Sequence, residues 1–329
     1  MSLVEELRTL FSTRHVRNNP ENPTIKPASI KKYLMGIQLI AKALDVEFVN
    51  LDFLKEPEKV FKVIENLSEP VKASRLLAPL IISQMMPEYN EYYWEYAKKH
   101  KSISKQLINK FKDGVQTEKT KNNMITWAEV VDTLKTHKKS SEKIMKILAI
   151  QERKAKPFEV KTIREYVAGV LFAGSIALPP RRAEYGDVEI IKNAAYKKLK
   201  DKDTSNYLVL GTKPFFHFAN FKNVDTEGVI DIPVPSVVMK VLRKWIPINN
   251  SKYLFANHSG ENPMGFSHFS ALLKRTFSTP TKNVGINILR HAFITEHIKA
   301  EHAEHKDIAK LMAHDVNTQK GYINNSDSE

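Results

Sequence analysis

Residues 207–232 read YLVLGTKPFFHFANFKNVDTEGVIDI. Three short runs, Tyr207–Leu210, Phe215–Phe218 and Val229–Ile232, are rich in β-branched and aromatic side chains. They are separated by Gly211-Thr-Lys-Pro214 and by a loop holding Asn223, Asp225 and Gly228. Apolar runs bounded by turn formers in this way read as strands. Elsewhere the apolar residues recur at three- and four-residue spacing, the mark of helices. The expected fold class is therefore mainly α with a small antiparallel β-sheet, the strands lying in an α+β half of the chain.

After this stretch, helices are expected over Pro235–Trp245, Ser267–Phe277, Ile288–Ile298 and Glu304–Ala313. Before it, a helix through Ile163, Tyr166, Val167, Val170 and Leu171 is expected to stop at Pro179 and Pro180. Thr126 and Glu129 form a T-x-x-E capping box that opens this second domain. The polar stretch from Asp113 to Asn123 reads as a linker. Further back, Ser29 is expected to cap a helix through Ile30, Leu34, Ile37 and Leu44, and Ser68 and Pro70 to open another through Leu77 and Ile81. The division is 1–23 as an N-terminal extension, 24–112 as a helical domain, 113–124 as linker and 125–329 as the strand-bearing domain.

The chain has 329 residues and a formal net charge of +14. A positive surplus of that size implies a polyanionic partner, and nucleic acid is the commonest. Eight lysines, Lys98, Lys99, Lys101, Lys105, Lys110, Lys112, Lys119 and Lys121, are either a solvated face or a contact to a DNA backbone. There is no cysteine, which excludes disulfides, thiolate metal sites and cysteine nucleophiles. No apolar run is long enough for a membrane span, and Glu5 and Glu6 stand where a secretory leader would be basic. A soluble intracellular protein is expected, with nucleus, cytoplasm and viral compartment left open.

Four pieces of the second domain carry reactive side chains. They are Leu178-Pro-Pro-Arg-Arg-Ala-Glu-Tyr185, Phe221-Lys-Asn-Val-Asp-Thr-Glu-Gly228, Asn287-Ile-Leu-Arg-His-Ala-Phe293 and Leu311-Met-Ala-His-Asp-Val-Asn-Thr-Gln-Lys-Gly-Tyr322. Each alone reads as ordinary surface charge or a packed side chain; their joint order is the signal. Arg181 followed three residues on by Glu184, Leu289-Arg290-His291, and His314 followed eight residues on by Tyr322 resemble the successive boxes of the tyrosine recombinases. Lys222 stands where that family keeps a hairpin lysine. The Pro-Pro-Arg-Arg and Phe-Lys-Asn forms are most similar to the branch found in large DNA viruses and eukaryotic tyrosine-recombinase transposons.

The resemblance, which covers residues from about 24 to 325, implies a two-domain DNA clamp whose first part is a helical core-binding domain. It implies site-specific recombination or integration through a covalent 3′-phosphotyrosine intermediate, on double-stranded DNA, by a homo-oligomer (a dimer or tetramer). Tyr322 would be the nucleophile, Arg181 and Arg290 the forks on the phosphate, His314 a proton acceptor or phosphate donor, and Lys222 the acid for the departing 5′ oxygen. No metal or other cofactor is required. Lys213 rivals Lys222, and Arg182 rivals Arg181; Asn287, His291 and Arg182 are candidates for positioning the phosphate. Asn287 departs from the family, which places histidine or lysine there, and an amide cannot exchange a proton at neutral pH. Two other readings stand beside recombination: supercoil relaxation like that of type IB topoisomerases, and a DNA-binding relative without catalysis. His297, His302 and His305 cluster as zinc ligands can, but the frame of a zinc helix is missing and a polar face is the expected reading.

Overall fold

The computed structural model describes residues 2–15, 24–112, 116–201, 204–297 and 312. The chain divides into two compact units, Met1–Asp113 and Gly114–Glu329. The first is helical: α1 (Leu3–Thr13), α2 (Pro27–Ala43), α3 (Pro57–Ile64), α4 (Glu69–Met85) and α5 (Tyr93–Lys112). Pro27 takes the first helical position of α2, where its missing N–H costs nothing, so α2 starts two residues before the expected cap Ser29. Ser68 does stand at the N-cap of α4. Within residues 1–23, expected as an extension, α1 contributes Leu7 and Phe11 to the core of this unit, both buried with Ile37, Val60, Leu76, Ile82 and Tyr96. The Tyr96 hydroxyl donates to the Leu54 carbonyl at 3.0 Å, so the one polar atom of that buried ring is satisfied.

The second unit begins with the single turn α6 (Glu118–Lys121), followed by α7 (Trp127–Gln151) and α8 (Pro157–Ala173). The capping box at the start of α7 is formed in both directions: Glu129 N–H donates to Thr126 Oγ1 at 3.2 Å and Thr126 N–H to Glu129 Oε2 at 2.7 Å. Seven consecutive residues of α8, Tyr166 to Phe172, are buried, so this helix is central rather than amphipathic. It ends at Ala173, where Gly174 takes the C-cap, and not at Pro179 and Pro180. Residues 174–183 leave the helix as irregular backbone.

The sheet has four strands in the order β1 (Val188–Lys192), β2 (Asn206–Leu210), β3 (Phe215–Phe218) and β4 (Ile230–Pro233). The expected antiparallel sheet is corrected to a mixed one: β2, β3 and β4 are antiparallel neighbours, whereas β1 pairs with β2 in parallel. Between β1 and β2 the chain makes the turn α9 (Asn193–Tyr196), which lets it return and start β2 in the same direction. One sheet face gives Leu208, Phe216, Phe218, Ile230 and Ile232 to the core. The remaining helices are α10 (Val224–Glu227), α11 (Ser236–Asn249), α12 (Gly265–Phe277) and α13 (Ile286–His297). Both α11 and α12 pack on α8, and α13 packs on α7, with the rings of Trp127 and Phe293 5.1 Å apart. Among the described residues no helix is long and apolar enough to cross a membrane. The helix expected over Glu304–Ala313 falls, apart from Met312, outside the described residues.

Candidate functional site

Arg181 lies at the end of the irregular segment after α8, and its side chain is fully buried. The 3-10 turn Glu184–Asp187 that follows is held against the start of α12. A Cβ at Gly186 would meet the Gly265 carbonyl oxygen at 2.7 Å, so only glycine allows that approach. The turn brings Glu184 Oε2 to 4.0 Å from Arg181 Nε. The guanidinium carbon lies over the Phe218 ring at 4.1 Å from its centroid and over the Phe221 ring at 5.2 Å. Desolvation draws the guanidinium below its usual pKa and Glu184 opposes this; an arginine stays protonated across the physiological range nonetheless. The same burial pushes the neighbouring Tyr185 phenol up, which keeps it neutral inside its ring of Phe172, Phe216, Phe218 and Phe269. Arg182 is only half-buried.

The contacts of Arg181 also place the two lysines. Phe218 is the last residue of β3, and Lys222 follows it in the β3–β4 connection, directly after Phe221. Lys213 lies in the β2–β3 turn at the other end of β3, about 10 Å away at roughly 3.3 Å per residue. Arg181 is therefore joined to the Lys222 end of the strand. Both lysines are exposed.

Arg290 lies on the inner face of α13 and is fully buried, between Leu289 and Phe293 of the continuous core that also holds Phe218. Its Nη2 donates to the Met312 carbonyl at 3.1 Å. Met312 is itself buried in that core. Asn287 and His291, four residues apart, share the other side of α13; Asn287 is exposed and His291 half-buried. The start of α13 is steadied from α7, where Glu129 Oε1 accepts from Lys282 Nζ at 2.9 Å. His314 and Tyr322 lie outside the described residues.

Two further groups involve histidine. His297 packs against Phe293 at 4.7 Å and Trp127 at 5.3 Å, and burial lowers its pKa, as befits a packed ring. His302 and His305 lie outside the described residues, and among those described no group of three or more histidine, aspartate or glutamate side chains could hold a metal ion. On the outer face of the sheet His217 Nδ1 lies 2.6 Å from Asp231 Oδ1 and 3.0 Å from the Tyr196 hydroxyl, tying α9 to β3 and β4. The amino-acid order gives no sign of this trio, because its members are adjacent only through strand register. Comparison with protein-family models, curated proteins and solved structures finds no match to this chain.

Proposed function

We propose that the protein is a site-specific DNA recombinase or integrase of the tyrosine type. The observation that carries this reading is the complete burial of Arg181 and Arg290, the two arginines that the sequence motifs single out, in one core of the strand-bearing unit. Arginine is almost never fully buried unless it is paired, and burial of a charge carries a desolvation penalty of several kcal/mol. Among the contacts described above, that penalty is met by Glu184 at 4.0 Å, the Met312 carbonyl and the local packing. Two guanidinium forks fixed by packing suit a reaction that adds negative charge to a phosphodiester, because they are oriented before the charge develops. A phosphate reaches them only by displacing what now covers them, including the Met312 carbonyl on Arg290 Nη2.

In the proposed reaction the Tyr322 phenolic oxygen attacks phosphorus while the bond to the 5′ oxygen breaks. The phenol proton passes to an acceptor, for which His314 is the candidate, and the 5′ oxygen takes a proton from Lys222. A DNA hydroxyl reverses the step by attacking the phosphotyrosine. No redox partner or net hydrolysis is involved, and the arginines supply the charge neutralisation that a metal would otherwise give. The experiment that tests this reading is incubation with a nicked suicide duplex in excess chelator. A denaturant-stable protein–DNA adduct is expected. Activity that disappears in chelator and returns with magnesium or zinc would contradict the mechanism.

Sulfur substitution separates the lysines. A general acid matters only while the departing oxygen is a poor leaving group. Lys222→Ala should be slow on ordinary DNA and largely restored on a duplex with a 5′-bridging phosphorothiolate, and Lys213→Ala should show no such restoration. The reverse pattern would move the acid to Lys213.

The first unit is proposed to close with the second round double-stranded DNA, as a dimer or tetramer on its site. One side of α5 supports this. Trp94, Lys98, Lys101, Lys105 and Ile108 fall within about 40° of one line at 3.6 residues per turn. All five are exposed, Trp94 at 76%. Replacing the three lysines by alanine should lower the slope of log affinity against log salt by about 2.7, roughly 0.9 for each phosphate that is no longer neutralised. An unchanged slope would leave them as a solvated face.

A further inference from the structure

The loop that carries Lys222 is anchored at its root by groups to which the chemistry above gives no role. β3 runs out of ladder at Phe218, whose partner on β4 is Ile230. On its other side the last pair with β2 is Tyr207 with His217. Beyond these pairs, one side chain replaces the missing strand bonds. Asn206, the first residue of β2 and 2% exposed, accepts the backbone N–H groups of Ala219 at 3.1 Å and Asn220 at 2.8 Å through its Oδ1. Its Nδ2 donates to the Asn220 carbonyl at 2.9 Å. Three of the roughly four hydrogen bonds that an amide side chain can make are thus spent on two residues of one loop. The next residue, Phe221, is buried and sets its ring 5.2 Å from the Arg181 guanidinium carbon, on which Phe218 already lies at 4.1 Å. The backbone from Phe218 to Phe221 is therefore held at both ends by Arg181 and in the middle by Asn206. Lys222, the exposed residue that follows, starts from a fixed point.

We infer that Asn206 and Phe221 are positioning residues: they hold the root of the lysine loop in register with Arg181, so that Lys222 and the arginine meet the same phosphate. This rests on the phosphotyrosine reading. A lysine on a freely swinging hairpin would have to be ordered at each reaction, at an entropic cost that a pre-set root removes. In the simpler alternative Asn206 only satisfies buried backbone groups. Its loss then lowers stability with no dependence on the leaving group.

Asn206→Asp keeps the size and the acceptor but turns the donor toward Asn220 into a second acceptor. Phe221→Leu keeps an apolar filling and removes the ring face. Single-turnover cleavage of ordinary DNA should slow about tenfold or more in each, a part of the 10²–10⁴ range of a general acid. Rates on the 5′-bridging phosphorothiolate should return to near wild type. Combination with Lys222→Ala should add little further loss, because all three changes remove one function. Equal slowing on both substrates, additive losses with Lys222→Ala, or wild-type rates on ordinary DNA would each overturn the inference. The anchor also has a readout that needs no cleavage. Hydrogen exchange at the Ala219 and Asn220 amides should be slow in the wild type and faster in Asn206→Asp. Fast exchange in the wild type would overturn the anchor itself, whereas a wild type that makes no adduct on either DNA, with these amides protected, would refute the recombinase reading alone.

Discussion

Arg181→Lys and Arg290→Lys should each lower the rate of DNA cleavage by about two orders of magnitude, although formal charge is kept. A fixed bidentate donor to a developing oxyanion contributes roughly 3 kcal/mol. Lysine presents a point charge on a flexible stem, and at these two places the stem would also be buried. Arg181 has ring faces on it at 4.1 and 5.2 Å, a geometry that suits a planar guanidinium and not an ammonium. Arg290 would lose its bond to the Met312 carbonyl, two residues before His314 in the chain. Burial lowers the pKa of a lysine, so the residual activity of Arg181→Lys should fall as pH rises from about 7 to 9, against a flatter profile for the wild type. Thermal unfolding and DNA affinity would be followed in parallel to separate misfolding from lost chemistry. Wild-type rates in both variants would show that these are structural charges.

Tyr322→Phe should abolish adduct formation and leave DNA affinity within about threefold of wild type, since only one hydroxyl is removed and uncharged hydrogen bonds are worth about 1 kcal/mol or less. The expected loss is total because no other group in this assignment can form the phosphotyrosine. An adduct of undiminished yield from the phenylalanine variant would remove Tyr322 from the role.

Much of the architecture is legible in the amino-acid order, and the gaps have physical reasons. Strands β2, β3 and β4 lie within two residues of their expected places, because Gly211, Pro214 and Gly228 punctuate runs too short for helices. β1 has no such signature. Val188–Lys192 follows closely on the Arg181 segment, and its parallel pairing with β2 is a long-range choice that no local pattern records. The end of α8 differs from its expected place because two prolines are a louder signal than Gly174, which closes the helix in an ordinary right-handed cap. Spacing singles out the candidate arginines, but it does not foretell their burial: arginine at a helix end is ordinarily a surface charge. Asn206 leaves no sequence signal at all. An asparagine before an apolar run reads as a turn residue, and its work becomes visible only when β3 ends beside it and offers it the amides of Ala219 and Asn220.

The proposed reaction turns on a covalent bond between Tyr322 and the 3′ phosphate of a cleaved strand. Its most direct test is to trap the protein on a suicide duplex in excess chelator, digest the adduct and locate the nucleotide remnant by mass spectrometry. A remnant joined through its 3′ phosphate to the peptide containing Tyr322 is expected. A remnant on another residue, a 5′ linkage, or no adduct across duplexes that the protein demonstrably binds would contradict it.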